Sequence, residues 1–382
     1  MHIAYLFDRV LPATETDSEQ MVQTICALSR RGHRIQLIVP RGAASTDLKS
    51  LLDYYQVRGE FELIELENGL SGWPTGRKWL HAARALARVR ALGPELIYTR
   101  NFPTLALAAR AGIPFVYETY RPWFSQWPML RLPFRRALGH PLCIGAVIHS
   151  YYAQRHFAAL GVPPERLAVV HNGFDPSRFQ SAAAKQALRE RLSLPADAIL
   201  ATYAGHVDAT KGLHVVLAAA RQLPDVRFVL VGASGAGLIE RLARKQPNVL
   251  LVPWQRFDRA AEYLLASDLL IQPPSSLPLH IVGNTVLPMK LFSYLAAGRP
   301  IVAPDTSDVR ELLRHEDNAL LVTPGDATAA AEAIRRLIRE PVLAASLAER
   351  ARATAEGLTW DARAEKIERF VMQRLAALRE AR

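Results

Sequence analysis

The chain has 382 residues, half of them apolar and 22% charged. That balance excludes global disorder, collagen-like repeats and low-complexity architecture, and it leaves room for two domains. Forty-seven Lys and Arg against 36 Asp and Glu leave a charge of +11, so an anionic partner is expected: a nucleotide, a phosphate, nucleic acid or an anionic lipid surface. Two cysteines, Cys26 and Cys143, make neither a disulfide framework nor a zinc site. The apolar runs are too short to span a bilayer, and Asp8 comes too early for a signal peptide, so a cytoplasmic protein is expected.

Along the chain, short apolar runs bounded by turn residues alternate with amphipathic stretches. Runs at 2–7, 34–39, 95–98, 114–117, 146–149 and 167–170 read as buried strands. Between the first two, a helix over 18–31 places Met21, Ile25 and Leu28 on one face and stops at Gly32. This is a βαβ unit, and its repetition implies a doubly wound parallel sheet. Residues 172–184, with Gly173 and Pro176, read as a linker. The pattern then restarts, with strands expected at 199–203, 227–231, 249–252, 269–271, 300–303 and 319–322 and helices at 213–222 and 327–339. Two Rossmann-like domains facing a cleft are the expected α/β architecture, with ligands beyond the carboxyl ends of the strands.

Three loops are candidates for meeting an anion. Gly205-His206-Val207-Asp208-Ala209-Thr210-Lys211-Gly212 follows a strand and opens a helix, where backbone amides and the helix dipole favour negative charge and Lys211 adds a cation. The plainer reading is a lysine on a solvated turn, and the spacing is not that of a Walker loop. Val231-Gly232-Ala233-Ser234-Gly235-Ala236-Gly237 is either a loose dinucleotide-type loop or a tight strand-to-helix turn. Gly283, Asn284 and Thr285 precede a helix expected to carry Pro288 in its first turn, to bury Leu291, Tyr294 and Leu295, and to end at Gly298. Lys290 in that first turn opposes the dipole, which makes sense if an anion binds there. No Gly-x-Ser-x-Gly elbow and no paired-histidine metal motif occurs, and His171 and His214 read as structural.

In this order the residues resemble the retaining glycosyltransferases of the GT-B fold, the group that includes enzymes of lipopolysaccharide, capsule and glycolipid synthesis. The resemblance runs through Arg31-Gly32-His33-Arg34-Ile35, His171-Asn172-Gly173-Phe174-Asp175 with Phe179, the loop 205–212, Asp268 with Pro274-Ser275, the stretch from Pro288 through Lys290, Phe292 and Tyr294 to Gly298-Arg299-Pro300, and Trp360. It implies an acceptor-binding domain over 1–180, a nucleotide-sugar-binding domain over 181–360, and a C-terminal helix over 361–382 that could pack back on the first. Lys211 would face the donor diphosphate, Gly283, Asn284 and Thr285 the phosphate or sugar, and Ser293 the ribose, with Gly205, His206 and Lys290 completing the donor set. The donor would be a nucleotide-sugar substrate, with no cofactor and no metal, because lysine and helix amides can stabilise the departing diphosphate.

The chain departs from the family pattern at several of these positions. The usual arginine before the lysine is His206, the two glutamates spaced by seven fall on Thr285 and Ser293, the first-domain histidine falls on Tyr120, and the glycine pair after the first strand is replaced around Thr16 to Glu19. Roles would then pass to neighbours, leaving Glu118, Tyr120 and His280 as catalytic candidates. Two rivals use the same fold: a sugar-nucleotide epimerase or hydrolase, with Glu118 and His206 or His280 as acid and base, and an inactive homologue acting as a binding subunit.

Residues 76–136 hold eleven Lys or Arg against two acids, a net +9. On the helix after Pro74, Arg77, His81, Arg84 and Arg88 recur at four, three and four residues as one cationic stripe, with Trp79, Ala82, Leu86 and Val89 on another side. Lys78, Trp123, Trp127, Arg135 and Arg136 lie near in sequence. Tryptophan with arginine suits an anionic membrane surface, and no nucleic-acid module is present. The expected activity is retaining transfer from a nucleotide-sugar to a glycan or lipid-linked acceptor, by a protein peripheral on the inner face of the membrane.

Overall fold

Two all-parallel sheets organise the computed structural model, which describes residues 1–67, 74–180, 183–278 and 287–380. The first contains β1 (His2–Leu6), β2 (Arg34–Pro40), β3 (Glu62–Leu66), β4 (Leu96–Thr99), β5 (Phe115–Thr119), β6 (Cys143–Ile148) and β7 (Leu167–Val169), in the order β3-β2-β1-β4-β5-β6-β7. The second contains β8 (Ile199–Ala204), β9 (Val226–Ala233), β10 (Val249–Pro253), β11 (Leu269–Ile271), β12 (Ile301–Pro304) and β13 (Leu320–Val322), in the order β10-β9-β8-β11-β12-β13. Strand order reverses beside β1 and beside β8, the points at which such sheets open a crevice beyond their carboxyl ends.

The continuous apolar runs are explained by cover on both faces. In the second sheet Leu200, Val229, Leu270 and Ile301 pack with Tyr263, Leu291, Tyr294 and Leu295 of the helices Phe257–Ala266 and Lys290–Ala297. Their neighbours Ala201, Phe228, Leu269 and Val302 point the other way, onto the helices Leu213–Arg221 and Ala327–Arg339. In the first sheet Ala4, Leu6, Ile97 and Tyr117 pack with Ala85, Leu86 and Val89 of the helix Pro74–Leu92, and with Phe134 and Phe157.

The chain forms two compact units. Met1–Asn172 is joined by Trp360–Arg382, and Gly173–Thr359 makes the other. The crossing comes at 172–173, at the start of the linker read from sequence and ahead of the boundary expected at 180, because Phe174 and Phe179 pack into the core of the second unit. The last helix, Trp360–Glu380, lies on the helix Thr16–Arg30 of the first unit. Arg30 pairs there with Asp361 at 2.6 Å, and Arg31 pairs with Glu368. That partner explains why Ser18, Gln20, Gln23 and Thr24 are buried as well as Met21, Ile25 and Leu28.

Three local expectations change. β3 is an edge strand whose Glu-Leu-Ile-Glu-Leu sequence hides it, since its side chains are half-buried or exposed. β6 begins three residues earlier than expected, running through Gly145, where a Cβ would sit 2.4 Å from the Arg166 carbonyl. The helix after Pro288 begins at Lys290, with Pro288 ahead of it.

Candidate functional site

At the end of β8 the chain turns through Gly205 at φ +144°, and here a side chain is excluded twice over. A Cβ would lie 2.9 Å from the Tyr203 hydroxyl and 3.1 Å from Lys290 Nζ. A 3₁₀ turn, Ala209–Lys211, follows, begun by the Asp208 carboxylate accepting the Thr210 N–H at 2.7 Å. Gly212 then starts the helix Leu213–Arg221 at φ +76°, packed so closely on Ser275 that a Cβ would come within 2.3 Å. Lys211 is therefore fixed between a strand end and a helix start, half-buried.

Lys290 comes from another element. On the helix Lys290–Ala297, Tyr294 lies one turn further on, and its hydroxyl accepts the N–H of Ala204 at 2.9 Å. This contact pins the helix to the end of β8 and carries Lys290 back over the same strand end. Lys290 Nζ donates to the Tyr203 hydroxyl at 3.1 Å and lies 4.3 Å from the centre of that ring. The Tyr203 hydroxyl in turn donates to the His206 carbonyl at 2.9 Å. Burial first and nearby Lys211 second, with Asp208 offsetting part of their effect, bring the Lys290 amine down to about 7. Among the described residues no carboxylate is within ion-pair distance of either lysine.

Gly205, His206, Lys211 and Lys290 thus meet at one strand end. The His206 side chain is exposed and enters through its carbonyl, and Ser293 is half-buried on the helix that carries Lys290. His280, Gly283, Asn284 and Thr285 lie outside the described residues. The glycine-rich loop after β9 has its amides taken: the Glu240 carboxylate accepts from Ser234, Gly235 and Gly237. Those bonds, the one from Gly235 foremost, hold Glu240 below the usual carboxylate range. The loop is closed on itself as a turn, the plainer of its two sequence readings.

Glu118 is corrected by its surroundings. It is 0% exposed, at the centre of a buried cluster in the first unit. Its carboxylate accepts from Gln20 Nε2 at 2.7 Å, from the Tyr98 hydroxyl, from His149 Nε2 at 2.8 Å and from Arg363 Nη2 at 2.8 Å. Burial alone would raise its pKa, but Arg363 and Arg100 hold it well below the usual range. A carboxylate so enclosed and so firmly ionised is an anchor for the last helix, not a proton-transfer group facing substrate. Burial likewise pushes His149 down to about 3, so it is neutral. Tyr120 is half-buried two residues beyond Glu118, its ring 6.2 Å from that of His149. Arg363 and His149 were missed because a lone Arg and a lone His carry no spacing signal.

The expected cationic stripe is broken. His81 is buried, its Nε2 donating to the Phe7 carbonyl at 2.9 Å. Arg77 is half-buried; Arg84 and Lys78 are exposed but engaged, Arg84 donating to the Glu67 carbonyl at 2.6 Å and Lys78 pairing with Asp8 at 3.3 Å, and Arg88 is exposed. Trp123 also turns inward, with the Arg121 guanidinium 4.5 Å over its ring. Trp79 is exposed at 38% on the helix Pro74–Leu92, and a denser exposed apolar group lies further on: Trp127 at 54%, Met129 at 76% and Leu132 at 54%, among exposed Arg131, Arg135 and Arg136. Among the described residues no helix is long and apolar enough to cross a membrane, and no three His, Cys, Asp or Glu side chains are grouped to hold a metal ion.

Residues 184–354 match the family model of Glycosyl transferases group 1, and residues 19–178 match that of Glycosyltransferase Family 4. A D-inositol 3-phosphate glycosyltransferase of Xylanimonas cellulosilytica is 32% identical over 53% of this chain and 50% of its own length. The chain thus spans about half the length of such curated relatives. A putative teichuronic acid biosynthesis glycosyltransferase of Bacillus subtilis is 26% identical over 82% of this chain and 83% of its own. Among solved structures, Anabaena Alr3699/HepE in complex with UDP-glucose superposes with a TM-score of 0.73 at 20% identity, covering 98% of this chain and 100% of that one.

Proposed function

Since the chain belongs to the group 1 and family 4 glycosyltransferases and has their GT-B fold, we propose that it transfers a sugar from a nucleotide-sugar to a membrane-associated acceptor, with retention at the anomeric carbon. The observation that carries the reading is the approach of Lys290, packed on Gly205 at the carboxyl end of β8, to Lys211 at the start of a helix. A nucleoside diphosphate gains charge as it leaves, and cations fixed where that charge develops stabilise the transition state more than the ground state. The lysines and the helix start fill this role without a metal. The UDP-glucose complex of the Anabaena structure is consistent with such a donor.

The acceptor side rests on the segment 127–136. It carries three exposed apolar side chains and three exposed arginines, and no acid occurs between Glu118 and Glu165. An apolar tip ringed by cations fits the headgroup layer of an anionic leaflet, the inner face for a cytoplasmic protein. Thermal stabilisation by individual nucleotide-sugars, followed by mass spectrometry with lipid and glycan acceptors, tests the proposal. Product in which the sugar has moved to an acceptor supports it. An altered or hydrolysed sugar nucleotide with every acceptor, or an inverted anomer by NMR, overturns it.

A further inference from the structure

We infer that Lys290 links donor binding to proton uptake: a diphosphate brought against Lys211 and Lys290 draws a proton from solvent onto the Lys290 amine, so the donor is held more tightly below neutrality than above it. This rests on the donor reading given under the proposed function and adds a regulation to the same site.

The geometry places two lysines on one strand end with no carboxylate pair for either among the described residues. The Lys290 amine is held by the Tyr203 hydroxyl at 3.1 Å and the Tyr203 ring at 4.3 Å. The hydroxyl spends its own proton on the His206 carbonyl, so it offers the amine a lone pair and no counter-charge. Gly205 packs against Lys290 Cε and Nζ on the adjoining side. The charged or titratable groups facing the amine are Lys211, which opposes its charge, and Asp208, which favours it but is engaged with Thr210. His206 adjoins through its backbone, with its side chain exposed. Tyr294, on the same helix, is tied to Ala204.

Such a setting favours the neutral amine and accords with its position near 7. An arriving diphosphate supplies the missing negative charge and reverses the balance. The step balances simply: the amine lone pair takes one proton from the buffer, the N–H···O contact forms to phosphate oxygen, and no covalent bond changes. Through the Tyr203 hydroxyl Lys290 stands beside the His206 backbone, as a cation that is charged on demand.

The test is calorimetry of UDP-glucose, GDP-mannose and ADP-glucose, whose diphosphate diesters keep a fixed charge between pH 6 and 9. Each is titrated in pairs of buffers with different ionisation enthalpies. For whichever binds, uptake is expected near zero at pH 6 and approaching one proton by pH 8, with affinity falling up to about tenfold per pH unit above 7. Lys290→Arg should retain affinity and lose the uptake. Lys290→Met should weaken binding and also lose the uptake. Binding without buffer-dependent heat at pH 8 overturns the inference while leaving the donor reading intact. Uptake that survives in Lys290→Arg and disappears in His206→Gln overturns it equally. If none of the three binds at any pH, the donor reading falls and the inference with it.

Discussion

Lys211 is expected to act on the donor and hardly on the fold. It is half-buried and has no ion pair among the described residues, so Lys211→Ala should leave the melting temperature near that of the parent. Losing a charge-assisted contact to phosphate costs about 1.5–3 kcal/mol, so kcat/KM for the donor should drop roughly ten- to a hundredfold; steady-state kinetics at subsaturating donor checks it. Lys290 is expected to move stability the other way. Its amine sits near 7 in the fold against 10.5 in the unfolded chain, so the unfolded state binds more protons between those values and stability rises with pH across that window. Lys290→Met removes the penalty and should raise the melting temperature at pH 7 while weakening the donor, a trade of stability for function. The lysine itself was legible, because a cation opposing a helix dipole asks for a reason. Its partner Tyr203 was not, since an aromatic inside a strand reads only as core. Glu118 was misread for a related reason: a carboxylate after a strand resembles an acid–base candidate until its partner Arg363, 245 residues away, is seen beside it.

At the scale of elements, the short segment 127–136 carries the membrane prediction in place of the longer helix Pro74–Leu92. Arg131, Arg135 and Arg136 each contribute about 1 kcal/mol near an anionic surface, fading over a Debye length of roughly 10 Å at 0.1 M salt. Replacing all three by Glu should release the protein from anionic vesicles at low salt. Replacing Trp127, Met129 and Leu132 by Ser should remove the salt-resistant part of binding, because apolar burial is not screened. Reversing Arg84 and Arg88 should have the smaller effect, since Arg84 is committed to the Glu67 carbonyl. Vesicle sedimentation across a salt series separates these outcomes; equal binding by parent and triple Glu variant would reject the segment as the contact. Periodicity alone pointed to the helix, because spacing shows which residues share a face but not that His81 on that face turns into the core. β3 was hidden by the converse effect, an edge position that tolerates glutamates where a central strand would not.

For the whole molecule, acid sensitivity should concentrate in the first unit. Glu118 lies well below its unfolded value, so its ion pairs stabilise fully above about pH 4.5 and fade as pH falls through the folded value. His149 falls from 6.5 to about 3, so stability is lost from about pH 6.5 downward. Near-UV circular dichroism between pH 7 and 4 should report loosening there first. Arg363→Ala should bring the loosening on at neutral pH, costing about 3–5 kcal/mol by leaving a buried carboxylate with a main partner gone, and Glu118→Gln should recover part of that loss in a double variant; urea unfolding midpoints measure both. The alternating strands and helices made the two sheets legible, whereas the return of the last helix to the first unit was expected only through the family resemblance, since no local pattern encodes so long-range a contact.

That return sets an order on synthesis. Glu118 leaves the ribosome 245 residues ahead of the guanidinium that neutralises it, a wait of roughly 12–50 s at 5–20 residues per second. The whole of Gly173–Thr359 is made in that interval and is contiguous in the chain. The younger half is therefore able to mature first, while the older half waits, its acid still beside Arg100 and His149 but without Arg363, and the groove for its closing helix unfilled. A released chain truncated after 359 should be cut by protease within 1–172 and resist it within 173–359, and restoring residues 360–382 should close the first half.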